Sequence, residues 1–138
     1  MLIGCDRPGN TGLTAKEQAY IQEIGLLSTD ETVLFFDYAT SPTQDGNFFT
    51  DQRVAAYWID SYGRETETTK ESARYDEITD ISMTYAADWS YAHDITITRS
   101  DGSSFHVYVS SNKDYADEFL AALKAHWHSH HQLEEAYQ

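Results

Sequence analysis

Aromatic and β-branched residues alternate with polar ones over most of this chain, and helical spacing of apolar residues occurs only towards its two ends. The pattern is clearest over residues 46–60, where two apolar runs flank the polar residues 50–53. Strands favour aromatic and β-branched residues, and a short polar break between two strands is typical of a tight hairpin. This run therefore predicts two antiparallel strands that meet at Asp51 and Gln52.

Further alternating runs predict strands over residues 32–39, 64–75, 79–86, 94–99 and 104–109. The second of these runs is rich in Thr and charged residues, which is typical of a solvent-facing strand near a sheet edge. Asp101 and Gly102 separate the last two runs, and an Asp-Gly pair between alternating segments is a strong hairpin signal. The sequence thus predicts a mainly β domain.

Residues 14–24 predict a short N-terminal helix. Thr14 and Glu17 have the spacing of a capping box, and Gly25 suits the position just after a helix. Tyr20, Ile21 and Ile24 fall on one face at helical spacing. We expect that face to pack on the domain.

A longer helix is predicted near the C-terminus, with Ser111 or Asn112 as its cap. Its apolar face is formed by Ala116, Phe119, Leu120, Leu123 and Trp127. We expect the strands to bury Phe119 and Trp127. Residues 129–138 show no periodic pattern and are expected to be frayed.

Three segments resemble structural motifs of bacterial pleckstrin-homology-like, or GRAM-like, domains. Residues 46–54 resemble a Phe-Thr-Asp hairpin of that family, residues 73–81 the bend into its fifth strand, and residues 95–105 its last hairpin. The resemblance extends over residues 31–127. It implies a pleckstrin-homology-like part-open barrel of about seven antiparallel strands with a C-terminal capping helix, to which this chain adds the short N-terminal helix.

The resemblance also implies an organisation for the chain. Residues 14–128 would form the pleckstrin-homology-like domain, residues 1–13 a flexible segment or tether, and residues 129–138 a tail. The family carries no catalytic residues. Some eukaryotic members bind phosphoinositides through Lys and Arg between the first strands, but residues 41–45 contain no base here, so the resemblance does not imply that function for this chain.

The charge of the chain disfavours two classes of partner. Its 138 residues include 9 basic and 23 acidic ones, which gives a formal net charge of -14. Nucleic-acid-binding proteins normally show a basic patch, and anionic lipid surfaces attract basic segments. Because the basic residues are scattered, we expect no binding to nucleic acid or to phosphoinositides. Separately, we expect no cofactor.

Residues 2–5 resemble the lipobox of bacterial lipoproteins, in which the Cys becomes the lipidated first residue. A secretion signal needs a charged start and an apolar stretch of about 7–15 residues, but only three residues separate Met1 from Cys5. Two interpretations stay open. With a longer native N-terminus, Cys5 would carry a lipid anchor and residues 6–13 would be the tether; otherwise residues 1–13 are a flexible segment of a cytoplasmic protein.

Two pairs of side chains, His126 with His130 and Asp51 with Arg53, have spacings that allow a specific interaction. His126 and His130 are four residues apart, a spacing that can hold a transition metal on a helix face, but an end that frays does not preorganise ligands. We therefore expect a solvated, pH-responsive tail and no metal site. Asp51 and Arg53 could pair across the hairpin turn, and we expect their role to be structural.

The candidate binding residues are Tyr85, Trp89 and Tyr91. Aromatic side chains are enriched at interface cores, so these three could line a ligand groove or a partner surface. In a small barrel such residues more often belong to the core. The sequence contains no Ser-His-Asp order, phosphate loop, Cys pair or metalloprotease motif. We therefore expect that the protein is not an enzyme.

Two hypotheses for the function follow. The first is a non-enzymatic binding or scaffold module whose partner is another protein or a second copy of itself, tethered to a membrane if Cys5 is lipidated. The second is a small-ligand or enzymatic domain that uses the barrel mouth or a groove beside the C-terminal helix. A pocket of several hundred Å³ with converging polar groups would favour the second hypothesis.

Overall fold

The computed structural model describes residues 12–86, 92–110 and 112–136, with side chains of the last helix as far as residue 131. The chain forms two compact units that divide between Ser72 and Ala73. The elements of the first unit are α1 (Ala15–Glu23), β1 (Val33–Asp37), β2 (Asp45–Thr50), β3 (Arg53–Tyr62) and all but the last two residues of β4 (Glu65–Arg74). A 3-10 turn (Tyr75–Glu77), β5 (Ile78–Thr84), β6 (His93–Arg99), β7 (Ser104–Val109) and α2 (Lys113–Ala136) follow.

The predicted capping box starts α1. The Thr14 hydroxyl accepts a hydrogen bond from the Glu17 amide at 3.1 Å, and the Glu17 carboxylate accepts one from the Thr14 amide at 2.9 Å. Gly25 follows the helix with a φ of 88°, a conformation that glycine adopts without a steric penalty. Ile21 is fully buried, which confirms that α1 packs through its apolar face.

The four strands of the first unit form one sheet in the order β1-β2-β3-β4. Phe36 pairs with Phe48, and Phe48 pairs with Ala55 on the next strand. The rings of Phe36 and Phe48 are stacked at 5.5 Å. A hydrophobic core cluster of the first unit contains Leu13, Ile21, Leu26, Leu27, Val33, Phe36, Phe48, Ala55 and Tyr57.

A buried ion pair fixes the β2–β3 hairpin. The Arg53 guanidinium donates to both oxygens of the Glu31 carboxylate, at 2.6 and 2.9 Å, and the Glu31 side chain is completely buried. Asp51 instead accepts a hydrogen bond from the Thr32 amide at 3.0 Å. The ionic partner of Arg53 is therefore Glu31, and the Asp51–Arg53 pair considered from the sequence is replaced by this longer-range one.

The strands of the second unit form a sheet in the order β5-β6-β7. Ile81 pairs with Ile97, and Ile97 pairs with Phe105; all three are buried. Gly102, with a φ of 91°, closes the predicted last hairpin by donating to the Arg99 carbonyl at 3.0 Å.

Helix α2 begins after Asn112, whose side-chain oxygen accepts a hydrogen bond from the Tyr115 amide at 2.8 Å. Phe119 is fully buried, as predicted. Trp127 is only half-buried, contrary to the prediction, and its indole N–H donates to the Ile78 carbonyl at 3.0 Å.

The helix also continues further than the sequence predicted. Residues 129–136 are helical rather than frayed, since α2 ends at Ala136. The His130 ring lies 4.8 Å from the buried Tyr75 ring, and His131 lies 3.3 Å from the Ile78 carbonyl oxygen. These contacts are made by histidines in a segment without an apolar periodic pattern, so the pattern did not predict this part of the helix.

The described chain is mainly β, with seven antiparallel strands, a C-terminal helix and a short N-terminal helix. Its strands form two separate sheets rather than one closed barrel. Both features agree with the predicted part-open architecture.

Candidate functional site

The candidate site is built around Tyr85, which directly follows β5 and is 46% exposed. Its hydroxyl donates to one oxygen of the Asp117 carboxylate at 2.6 Å. Lys113 donates to the other oxygen at 2.9 Å, and the Lys113 ammonium lies 4.8 Å from the centre of the Tyr85 ring. Asp117 thus bridges Tyr85 and Lys113, and the ring is held in one position although almost half of it faces solvent.

His93 completes this group, here called the Tyr85 cluster (Tyr85, His93, Lys113 and Asp117). The His93 ring meets the Tyr85 ring edge to face, at 5.6 Å between centroids. Nδ1 of His93 accepts a hydrogen bond from the Ala86 amide at 2.9 Å, which requires that Nδ1 carries no proton. This bond joins the start of β6 to the residue after Tyr85.

The contacts within the cluster shift the pKa values of Asp117, Lys113 and Tyr85 away from neutral pH. The hydrogen bond from Lys113, followed by that from Tyr85, lowers the pKa of the Asp117 carboxyl. The hydrogen bond to Asp117 raises the pKa of Lys113 and also the pKa of Tyr85. General acid–base catalysis needs a pKa near the operating pH. The three shifts instead move the pKa values further from neutral pH. The cluster is therefore suited to presenting the neutral ring of Tyr85 beside the fixed charges of Asp117 and Lys113.

The other two predicted binding residues, Trp89 and Tyr91, lie outside the described residues, as does Cys5. The structure therefore places only Tyr85 of the three candidate aromatics. Within residues 12–86, 92–110 and 112–136, no helix is long and apolar enough to cross a lipid bilayer.

The sequence did not reveal the helix partners of Tyr85. Lys113 and Asp117 are four residues apart, which is the spacing of an ion pair on a helix, so their mutual contact was accessible from the sequence. Their contact with Tyr85 joins residues 32 positions apart in the chain. No local pattern encodes that distance.

The loop between β1 and β2 is tied down by an acidic residue. The Asp45 carboxylate accepts hydrogen bonds from the Ala39 amide at 2.5 Å and from the Thr40 amide at 3.0 Å. The hydroxyl of the buried Tyr57 donates to the Pro42 carbonyl. The amides of Ala39 and Thr40 are therefore already engaged with Asp45. Residues 41–45 contain no basic side chain that could bind an anionic ligand.

A groove of about 530 Å³ lies in the first unit, beside α1. It is lined by Thr14, Lys16, Glu17, Ala19, Tyr20, Glu23 and Thr43. The polar groups of Thr14 and Glu17 are engaged in the capping box. The capping box thus occupies two of the polar side chains that line the groove.

His126 and His130 share a packing role. Both imidazoles lie against the Tyr75 ring, at centroid distances of 6.3 and 4.8 Å. Among the described residues there is no group of three or more His, Cys, Asp or Glu side chains placed to hold a metal ion. Packing against the same buried aromatic ring accounts for the four-residue spacing of the two histidines.

One solved structure shows the fold. The chain is similar to the crystal structure of a DUF1696 family protein with a pleckstrin-homology domain from Shewanella loihica PV-4, with a TM-score of 0.51 and 16% sequence identity. The alignment covers 85% of this chain and 92% of that one. No family model and no curated protein sequence matches the chain. The likeness confirms the predicted pleckstrin-homology-like fold.

Proposed function

We propose that this chain is a non-enzymatic module that binds another protein or a second copy of itself, and that Tyr85 anchors the interface. The observation that carries the proposal is the exposed but immobilised ring of Tyr85, fixed by Asp117 and Lys113. Aromatic rings dominate interface energetics, and a ring that is already ordered loses little conformational entropy on binding.

Two further observations support a protein partner over the alternatives. The pKa shifts of Asp117, Lys113 and Tyr85 lead away from the values that acid–base catalysis needs. The closed loop at residues 41–45 has no basic side chain for a phosphoinositide. The first observation disfavours acid–base catalysis, and the second disfavours phosphoinositide binding. The Tyr85 cluster is therefore the best supported site.

The proposal is tested by placing a photo-crosslinking amino acid at position 85 in the full chain, in cells that express the native gene. A matched control carries the same residue at position 104, which is exposed on β7. We expect a discrete protein adduct from position 85 and none from position 104. Adducts of equal yield and size from both positions, or no adduct from position 85, would reject the proposal.

A lipid anchor at Cys5 would place the same module at a membrane without changing its binding surface, since two acyl chains hold a protein stably. Fractionation of cells that express the native gene, with Cys5→Ser as the control, distinguishes the two locations. Loss of membrane association on substitution supports the anchor, and a soluble protein in both cases rejects it.

A further inference from the structure

The β3–β4 hairpin extends beyond the sheet that carries it. The last pair between β2 and β3 is Asp45 with Trp58, whereas β3 continues for four more residues to Tyr62. Strand β4 starts at Glu65 and accompanies β3. Residues 58–69 thus form a two-stranded extension, here called the ribbon.

The outer part of the ribbon is exposed on both faces, and Ile59, Asp60 and Thr69 are partly buried. Every residue from 61 to 68 is exposed, and the exposed fractions of Tyr62 and Trp58 are 63% and 39%. Two-stranded hairpins without a third strand or a covering element are only marginally stable. Large aromatic rings on such an extension contribute little to the core, so their presence needs another explanation.

One face of the ribbon combines these rings with carboxylates. Alternate residues of a strand share a face, which puts Trp58, Asp60 and Tyr62 together. Strands β3 and β4 are separated by the two residues 63–64. From a two-residue hairpin turn we infer that Tyr62 lies opposite Glu65 and that Asp60 lies opposite Glu67. The face therefore presents two aromatic rings and three carboxylates.

We propose that this face docks an extended protein segment rich in Lys or Arg. The carboxylates complement its charge, and the exposed faces of Trp58 and Tyr62 attract cations. Residues two apart on a strand are separated by about 6.6–6.8 Å, so an extended partner with a base at every second position matches the spacing of the ribbon. The only base in the ribbon is Arg64, at the turn, which disfavours a cation at the tip and confines the partner to the strands.

The backbone of β3 offers a second contribution. The Ile59 amide still donates to the carbonyl of Gln44, the residue before β2, at 3.0 Å. Beyond Ile59, no strand among the described residues pairs with β3 on the β2 side. An extended segment can add to such an edge through main-chain hydrogen bonds. The ribbon thus provides alternating side-chain sites and a strand edge for the same occupant.

This inference goes beyond the proposed function, because the ribbon and Tyr85 lie in different units of the chain. Each surface can therefore be disabled without altering the other. The Tyr85→Ala variant should bind a basic peptide like the native chain. A loss of adducts at position 85 would leave the ribbon result unaffected.

The test uses the full chain and a fluorescent octapeptide of alternating Lys and Thr, followed by fluorescence anisotropy. The ribbon variant Asp60→Asn/Glu67→Gln is compared with Glu23→Gln/Glu118→Gln, which removes the same charge at exposed positions elsewhere. Because the ribbon variant removes two carboxylates that would pair with the peptide's cations, we expect its Kd to rise about five-fold or more, against less than about two-fold for the control. Tyr62→Ser should weaken binding in the same direction.

Several outcomes would overturn the proposal. They are an absence of peptide binding to the native chain, equal weakening by the two charge variants, and full affinity in Tyr62→Ser. An octapeptide of alternating Glu and Thr that binds as well as the Lys peptide would also refute it. Thermal unfolding of each variant identifies any that does not fold, and the exposed position of Tyr62 makes Tyr62→Ser the variant that keeps the test decisive.

Discussion

At the scale of single residues, the most consequential group in the first unit is Glu31. Its buried carboxylate accepts hydrogen bonds from Arg53, from Thr50 at 2.7 Å, and from the Ser28 amide and hydroxyl at 2.9 and 2.8 Å. Burial raises the pKa of Glu31, but the hydrogen bonds from Arg53, Thr50 and Ser28 outweigh it, so the pKa lies below its usual value. Glu31 therefore contributes stability in its ionised form.

The pH dependence follows from that direction. Because the pKa of Glu31 is lower in the folded than in the unfolded state, its stabilisation is complete above about pH 4.5 and is lost as the pH falls through the folded value. Glu31→Gln, which leaves Arg53 unpaired, should cost about 3 kcal/mol at pH 7. Denaturant unfolding at pH 7 and pH 3 measures the difference. A gap between native and variant that does not shrink at pH 3 would show that the ion pair is not what stabilises the hairpin.

Gly46 is a second residue that packing constrains, because its surroundings leave no room for a side chain. A Cβ atom at this position would lie 2.6 Å from the Phe36 ring and would also overlap the Tyr57 ring. Both rings are buried, and close packing opposes their displacement. Gly46→Ala should therefore destabilise the first unit by about 1–3 kcal/mol. Chemical unfolding measures this, and a variant as stable as the native chain would contradict the packing described here.

At the scale of the elements, α2 is held by its apolar face. Phe119→Ala should cost about 3–5 kcal/mol, since Phe119 is fully buried and the cavity would not refill completely. Ala125→Gly, at an exposed position of the same helix, serves as a control and should cost about 1 kcal/mol. Urea titration of both variants makes the comparison. A loss below about 1 kcal/mol for Phe119→Ala would mean that the helix does not pack on the sheet.

The elements also show where sequence reasoning succeeds and fails. Alternation and capping residues predicted the strands, the start of α1 at Thr14 and the cap of α2 at Asn112, because these features depend on neighbours in the chain. The Arg53–Glu31 pair spans 22 positions and the Tyr85–Asp117 bond spans 32. Such contacts depend on how distant elements meet. The sequence did not predict helix beyond residue 128, where the His130 imidazole contacts Tyr75 and no apolar periodicity is present.

At the scale of the whole molecule, the net charge of -14 sets the expected partners. The acidic surface and the closed β1–β2 loop should prevent association with anionic ligands. We expect no binding to vesicles containing phosphoinositides or to duplex DNA at physiological salt. Sedimentation with each ligand tests this, and a salt-sensitive association with either one would contradict it.

The central claim, that Tyr85 anchors a protein interface, is tested most directly by competition. Purified native chain is added to the crosslinking reaction at position 85, in parallel with Tyr85→Ala and Tyr85→Phe. Truncation of an interface anchor costs about 2 kcal/mol or more, so Tyr85→Ala should need a roughly 30-fold higher concentration to suppress the adduct. Tyr85→Phe, which keeps the ring, should compete better than Tyr85→Ala. Equal competition by the native chain and Tyr85→Ala would contradict the account.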